Sequence, residues 1–397
     1  PPAPHKVKID KEALSEYVKD MLDETNENYI ESEKLCVTLC QKKKYITHHK
    51  LMDLYSKIGV KVSNITRCLK FHQAPFLKKW VAINTEGRMT AQKLGNEIKK
   101  NFHKLCVNSV YGKFGENLLK QSEVVYDRKS FDENILSPYY KNHHIINENL
   151  AVIEKFKDFI SLNRPIQIAS SILELAKYIM YRYHYEVLVP AFGKRVEVCY
   201  SDTDSLVVRL KTKNLNKDLL KIIHSLDTSN FPKDHPLRIE DRGSKLGYFK
   251  SETGEQSRFV FDFDFVFDYN IIILGGDLIK AFCSIRAKCY TLLTEQKMSN
   301  GETKVKGESK LKGVNREAVK LLDLSSYLRT LLFNESQSSV SNRITSKHHQ
   351  LHVQRTKKKS LCNFDNKIII KSCGIHTAKW GSLESDRCNC AFARCLR

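Results

Sequence analysis

Cys199-Tyr200-Ser201-Asp202-Thr203-Asp204-Ser205 sets two carboxylates two residues apart between two β-branched runs. Lys194 to Tyr200 leads in and Ser205 to Leu210 leads out, and both read as strands joined by the Asp-rich turn. Side chains at i and i+2 point to one side of an extended backbone, so Asp202 and Asp204 share a face at the hairpin tip. Two acids held this close repel each other unless a cation lies between them. Hard oxygen donors suit a divalent ion such as magnesium. A polar hairpin turn with no metal is the alternative, because Asp, Ser and Thr are ordinary turn residues.

A second informative stretch spans residues 84 to 112. As one continuous helix, it puts Lys93, Lys100, Lys104, Asn108 and Tyr111 in one narrow sector. Ala91, Leu94, Ile98, Phe102 and Leu105 fall in another, with Gly112 as the C-cap. One face is then expected to pack, while the other presents ammonium groups that end in an amide and a phenol. That face suits a polyphosphate, or is simply a solvated lysine face of which Glu97 is a part.

The balance of charge points the same way. The chain of 397 residues carries a formal charge of +21 and has a pI near 9.3, which favours a polyanionic partner, nucleic acid ahead of an anionic membrane. No apolar run reaches bilayer-spanning length, so no membrane role is expected. Twelve cysteines without framework spacing predict free thiols in a reducing, intracellular setting.

The rest of the chain reads as alternating helices and strands, an α+β pattern. Helices are expected over Asp10 to Leu22, residues 41 to 59, Pro165 to Tyr185, part of 211 to 245, and Asn315 to Leu332. Val60 to Phe71 reads as one or two short strands, and residues 113 to 165 as an inserted loop region. Phe259 to Phe267, Ile271 to Leu274 and Ile279 to Leu293 read as strands. On the last of these, Arg286, Lys288 and Tyr290 would point to one side, able to follow a phosphate backbone. Lys304, Lys306, Lys310, Lys312, Arg316, Lys347 and Lys357 to Lys359 make the C-terminal region basic and suited to duplex contact. His48-His49 and the Cys388, Cys390, Cys395 tail lack standard metal-ligand spacing.

Three motifs then fit one picture. Lys104-Leu105-Cys106-Val107-Asn108-Ser109-Val110-Tyr111-Gly112 resembles the fingers motif of family B DNA polymerases. Tyr200-Ser201-Asp202-Thr203-Asp204-Ser205 resembles their palm motif, and Lys288-Cys289-Tyr290 the Lys-x-Tyr motif that follows it. Leu226-Asp227-Thr228-Ser229-Asn230 and Leu246-Gly247-Tyr248-Phe249-Lys250-Ser251-Glu252 are similar to the protein-primed branch of Maverick/Polinton elements, adintoviruses and related phages. The likeness extends to about Gly381.

The resemblance implies a right-hand polymerase with an antiparallel palm sheet, helical fingers and a thumb-like C-terminal region. Its expected divisions are a segment at 1–60, fingers at 61–120, an insertion at 121–165, palm at 166–300, a thumb-like region at 301–381, and an unmatched tail at 382–397. Asp204 would be the direct ligand of two magnesium ions, with Asp202 in support. Lys104 would hold the triphosphate, with Lys100 and Lys93 as weaker candidates, while Asn108 and Tyr111 would bound the nucleotide. Tyr200, Thr203, Lys288 and Tyr290 would line the primer and template. The implied partners are primer-template DNA, deoxynucleoside triphosphates and a terminal priming protein.

One departure stands out. The family needs a further Asp in an Asp-x-x-Ser-Leu-Tyr-Pro-like motif before the fingers, and Pro1 to Arg88 holds none; Asp10 has none of that motif's neighbours. An acidic exonuclease region is likewise absent. The expectation is therefore a piece of a larger polymerase, inactive alone. The rival is a decayed element-derived protein that binds nucleic acid without catalysis. A reverse transcriptase fits less well, because Thr203 separates the two acids.

Overall fold

A computed structural model describes residues 3–379, apart from 26–28, 30, 39–40, 119–120, 126, 149, 204, 230, 232, 243–246, 251–269, 274–277, 298–302, 348–349, 364–365, 371–372 and 374. The fold is α+β and divides into two units. One holds residues 1–45 with 191–397, the other 46–190.

In chain order the elements are β1 (Ala3–Ile9), α1 (Glu16–Thr25), β2 (Ser32–Thr38), α2 (His49–Lys57), α3 (Lys78–Lys93), α4 (Glu97–Phe114), β3 (Gln121–Val125), α5 (Arg128–Ile135), β4 (Tyr140–Asn147), β5 (Leu150–Lys155), α6 (Ile166–Arg182) and α7 (Val189–Phe192). There follow β6 (Val196–Asp202), β7 (Ser205–Leu210), α8 (Leu215–Leu220), β8 (Leu226–Asp227), β9 (Phe249–Lys250), β10 (Asn270–Ile273), β11 (Leu278–Arg286), β12 (Cys289–Lys297) and β13 (Thr303–Leu311). The chain closes with α9 (Arg316–Lys320), α10 (Leu324–Phe333), β14 (Gln337–Lys347), β15 (Gln350–Leu361), β16 (Asn366–Ile369) and β17 (Thr377–Lys379).

The first unit is built on a six-stranded antiparallel sheet in the order β13-β12-β11-β10-β7-β6. Leu206, Val207, Val208 and Leu210 of β7 are all buried, so both faces of this strand are covered. Cys283, Ile285 and Cys289 form a core with Tyr327 of α10 and Leu361 of β15. A second sheet, β1-β2-β16-β17, joins the start of the chain to its far end, and Thr377 Oγ1 donates to the Ala13 carbonyl there at 2.8 Å. Ile9, Leu14, Val18, Leu22 and Cys36 make its core. β14 and β15 form a long two-stranded ribbon running from Gln337 opposite Leu361 to Lys347 opposite Gln350.

Three expectations for this unit are corrected. The helix expected over Asp10 to Leu22 is a short 3₁₀ turn, Lys11–Ala13, followed by α1. The single strand expected over Ile279 to Leu293 is the β11–β12 hairpin, so Arg286, Lys288 and Tyr290 do not lie along one strand. Its turn holds Lys288 at φ 59°, and nothing in Ala287-Lys288 marks a turn in the sequence. The helix expected over Asn315 to Leu332 is interrupted: Asp323 caps α10 by accepting from the Ser326 N–H, which ends the preceding turn. The strand expected at Phe259 to Phe267 lies outside the described residues, as does the tail with Cys388, Cys390 and Cys395.

The second unit contains α2 to α6 and a three-stranded antiparallel sheet in the order β3-β5-β4. Residues 113–165 are therefore not a loop region. Val125, Ala151 and Ile153 pack with Phe131 of α5 and Tyr140 into a small core. The polar outer positions of these strands masked their period. His48 is the N-cap of α2, its Nδ1 accepting from the Lys50 N–H, which gives the histidine pair a structural role. Val60 to Phe71 forms no strand: its β-branched residues have no partner strand, and β-propensity alone does not make one.

The helix expected over 84 to 112 is two helices, α3 and α4, broken at Leu94-Gly95, where Gly95 sits at φ 66°. α4 runs past Gly112 and is capped at Gly115. The apolar face expected to pack is open, with Ile98, Phe102 and Leu105 exposed at 84%, 60% and 64%. α3 and α4 meet closely at Gly87; a Cβ there would stand 2.6 Å from the His103 ring.

Candidate active site

β6 and β7 pair in antiparallel register from Val196–Leu210 to Asp202–Ser205, so Asp202 lies in the last rung, at the tip of the hairpin. A bulge at Cys199, between the Val198 and Tyr200 pairs, twists the outer half of the hairpin. Thr203 takes φ 56°, a left-handed conformation unusual for a β-branched residue. Its Oγ1 donates to Asp202 Oδ1 at 3.2 Å, and Ser205 Oγ donates to the Asp202 carbonyl at 3.2 Å.

The β11–β12 turn meets this tip. Lys288 Nζ donates to both carboxylate oxygens of Asp202, at 2.6 and 2.5 Å. The Lys288 backbone N–H donates to Tyr200 Oη at 2.8 Å, and its carbonyl accepts from the Lys312 N–H at 3.1 Å. The left-handed backbone at Lys288 thus aims its N–H and its ammonium at two residues of one strand. The Tyr200 and Tyr290 rings lie 5.0 Å apart, and Phe282 completes a cluster at 5.9 and 5.6 Å. Burial raises the Tyr200 phenol above its ordinary range, with the Lys288 N–H pulling the other way. The phenol therefore stays neutral and accepts.

The base of the hairpin is tied separately. The Arg195 guanidinium grips Asp218 at 2.8 and 3.3 Å, with Thr212 Oγ1 at 2.6 Å and Lys221 Nζ at 2.7 Å on the same carboxylate. Arg195, outweighing the cost of burial, and then Lys221 and Thr212 hold the Asp218 carboxyl well below the usual range. Edge-strand Glu197 is paired with Arg209 on β7.

Tyr200, Asp202, Thr203, Lys288 and Tyr290 are therefore brought together, with Asp204 outside the described residues. Phe282 and Asp218 escaped the sequence reading. Each comes from a separate stretch, and neither carries a motif. The Asp202 carboxylate is a hard oxygen donor of the kind a divalent cation takes, and both of its oxygens here accept from the Lys288 ammonium, which such a cation would have to displace. Among the described residues no three His, Cys, Asp or Glu side chains converge on a metal position.

The remaining predicted residues belong to the other unit. Lys100, Lys104, Asn108 and Tyr111 lie on α4, with Lys104 and Asn108 exposed and Tyr111 half-buried. Lys100 Nζ donates to Glu97 at 2.9 Å. Lys93 is the last residue of α3, beyond the Gly95 break, so it does not continue the α4 lysine row. His103 Nδ1 lies 3.1 Å from Asn84 Oδ1, which joins the two helices beside Gly87.

Residues 3–187 match the family described as "DNA polymerase type B, organellar and viral". Over that stretch the chain is similar to the type B DNA polymerases. The match includes α4 with its Lys104-to-Gly112 motif and ends before the acidic hairpin. A DNA polymerase of Kluyveromyces lactis is 29% identical over 118 residues, 30% of this chain and 11% of the yeast protein. The chain thus matches only a small part of that relative's length. No solved structure matches the chain. No helix among its described residues is long and apolar enough to cross a membrane.

Proposed function

We propose that the acidic hairpin is the catalytic centre of a DNA-directed DNA polymerase of the right-hand type, with the six-stranded sheet as its palm. The observation that carries this reading is the Lys288–Asp202 fork, with Tyr200 held by the Lys288 N–H. It joins the palm-like motif to the Lys-x-Tyr motif in one site, 86 positions apart in sequence. In the reaction the primer 3′-oxygen bonds to the α-phosphorus of a deoxynucleoside triphosphate. The α–β phosphoanhydride bond breaks, pyrophosphate leaves, and the 3′-hydroxyl proton passes to solvent.

Asp204 and Asp202 would hold magnesium, which supplies charge stabilisation for the attacking and leaving oxygens. Asp202 also keeps the Lys288 ammonium in place. Tyr200 and Tyr290 present a neutral aromatic surface to the primer terminus. On α4, Lys104 binds the triphosphate, and Asn108 and Tyr111 bound the base and sugar. Sequence is read by base pairing, so the protein needs only backbone contacts.

Protein priming is supported by the similar stretches at 226–230 and 246–252. β8 and β9, drawn from these two stretches, pair in parallel at Leu226–Phe249 and Asp227–Lys250. It predicts that a protein hydroxyl accepts the first nucleotide when no DNA primer is supplied, read as label transferred from an α-labelled triphosphate to protein.

The decisive test is Asp204→Asn in a polymerase carrying these residues. Primer extension should fall at least about a thousandfold, the scale of several kcal/mol of lost charge stabilisation. Primer-template affinity should change little. Extension that survives the substitution would remove Asp204 from the catalytic centre.

A further inference from the structure

Gly59 to Phe76, between α2 and α3, is exposed at every one of its 18 positions. The segment forms no helix or strand until a turn begins at Phe76. Among the described residues, none of residues 61–74 makes a hydrogen bond. Such a backbone is left to water, yet its side chains are not those of a solvated linker. Phe71 and Phe76 are 52% and 60% exposed, and Trp80, in the first turn of α3, is 45% exposed. Three exposed aromatic rings within ten positions make an apolar surface of the kind that marks a contact site.

Charge identifies the partner. No Asp or Glu occurs from Leu54 to Thr85, whereas Lys61, Arg67, Lys70, Lys78 and Lys79 all lie in or beside the exposed run. These cations are interleaved with the aromatic rings rather than segregated from them. Cations alone would suit any polyanion. Exposed rings set between them suit unstacked bases, whose faces they can cover. A duplex keeps its bases stacked on one another and offers such rings nothing.

We propose that residues 60–80 are a binding site for single-stranded nucleic acid, with Phe71, Phe76 and Trp80 stacking on bases and the flanking cations following the phosphates. The site shares no residue with the acidic hairpin and does not depend on the catalytic reading, because neither nucleotide nor metal takes part. Pro75 and the lack of internal hydrogen bonds leave the backbone outside helix and sheet, so its side chains can follow a strand.

Trp80 reports on its own site. The chain has two tryptophans, so quenching lost in Trp80→Phe is assigned to Trp80. The full chain is titrated with oligo(dT) of about 20 nucleotides in EDTA, and in parallel with a blunt duplex of the same length. We expect saturable quenching by oligo(dT), absent in Trp80→Phe, and little quenching by the duplex. Phe71→Ala and Phe76→Ala should each weaken oligo(dT) binding about 5- to 150-fold, the range for loss of one base–aromatic stack. Both variants should keep the far-ultraviolet circular dichroism of the parent. Equal Trp80 quenching by duplex, or oligo(dT) binding unchanged in both Phe variants, would overturn the proposal. Loss of extension in Asp204→Asn bears only on catalysis, so the two readings fail separately.

Discussion

Lys288 does two jobs from one strained position. Its φ of 59° costs roughly 1–2 kcal/mol for a residue with a Cβ. It is retained where the N–H meets Tyr200 and the ammonium meets Asp202. Lys288→Met keeps an apolar stem, leaves Asp202 with only the Thr203 hydroxyl as partner among the described residues and removes the cation from the tip. We expect Lys288→Met and Asp202→Asn to be strongly non-additive in primer extension, the double variant costing little more than the worse single one. Additive losses in a double-mutant cycle would mean that the two side chains act separately. Asp218 gives a residue-scale prediction for stability. Its carboxyl titrates lower folded than unfolded, so its contribution is present above the ordinary carboxylate pKa near 3.9 and is lost as pH falls through the depressed folded value. Asp218→Asn should cost about 1–3 kcal/mol at pH 7, and urea midpoints of variant and parent should converge toward pH 2–3. The hairpin that carries the acidic pair was legible because Asp, Ser and Thr between two β-branched runs read as a turn between strands. Asp218 was not, because an aspartate in a lysine-rich helix shows nothing of the Arg195 that reaches it.

The elements were legible where a pattern was reinforced by a punctuating residue, and were missed where it was not. The β6–β7 hairpin shows both, since its strands are β-branched runs and its turn is rich in Asp, Ser and Thr. The β11–β12 turn at Ala287-Lys288 carries no Gly, Pro or Asn, so two strands read as one. The α3–α4 break did carry a signal in Leu94-Gly95-Asn96, where Asn96 caps α4 by accepting from the Lys99 N–H. A wheel drawn through it merged two registers and put Lys93 in the wrong row. Gly87 tests the helix pair directly. Alanine in an exposed helix interior ordinarily gains about 1 kcal/mol over glycine. Here its Cβ would stand 2.6 Å from a His103 ring held by Asn84. Gly87→Ala should therefore destabilise by about 1–3 kcal/mol in urea denaturation. Gly87→Ala combined with His103→Ala should recover most of that loss, and a stabilised single variant would show that the ring moves aside at no cost.

At the scale of the whole molecule, a charge of +21 favours a polyanionic partner but does not say where it would sit. The β14–β15 ribbon gives the charge a place. Alternation along β15 sets Arg355, Lys357 and Lys359 on one exposed face, opposite Asn342, Val340 and Ser338. Lys358 falls on the other face and donates to the Gly313 carbonyl at 2.7 Å. Three cations at alternate positions can follow a phosphate backbone, while Lys358 is engaged within the fold. Duplex affinity should fall linearly with the logarithm of salt concentration, by about 0.9 for each phosphate neutralised. Replacing Arg355, Lys357 and Lys359 together with Gln should then flatten that slope by about 2.7, whereas Lys358→Gln should leave it nearly unchanged. The measurement is fluorescence anisotropy of a labelled duplex across a salt series. A triple variant with the parent slope would show that the excess charge binds duplex elsewhere, and equal effects of Lys358 and its neighbours would show that charge acts without regard to the face that carries it.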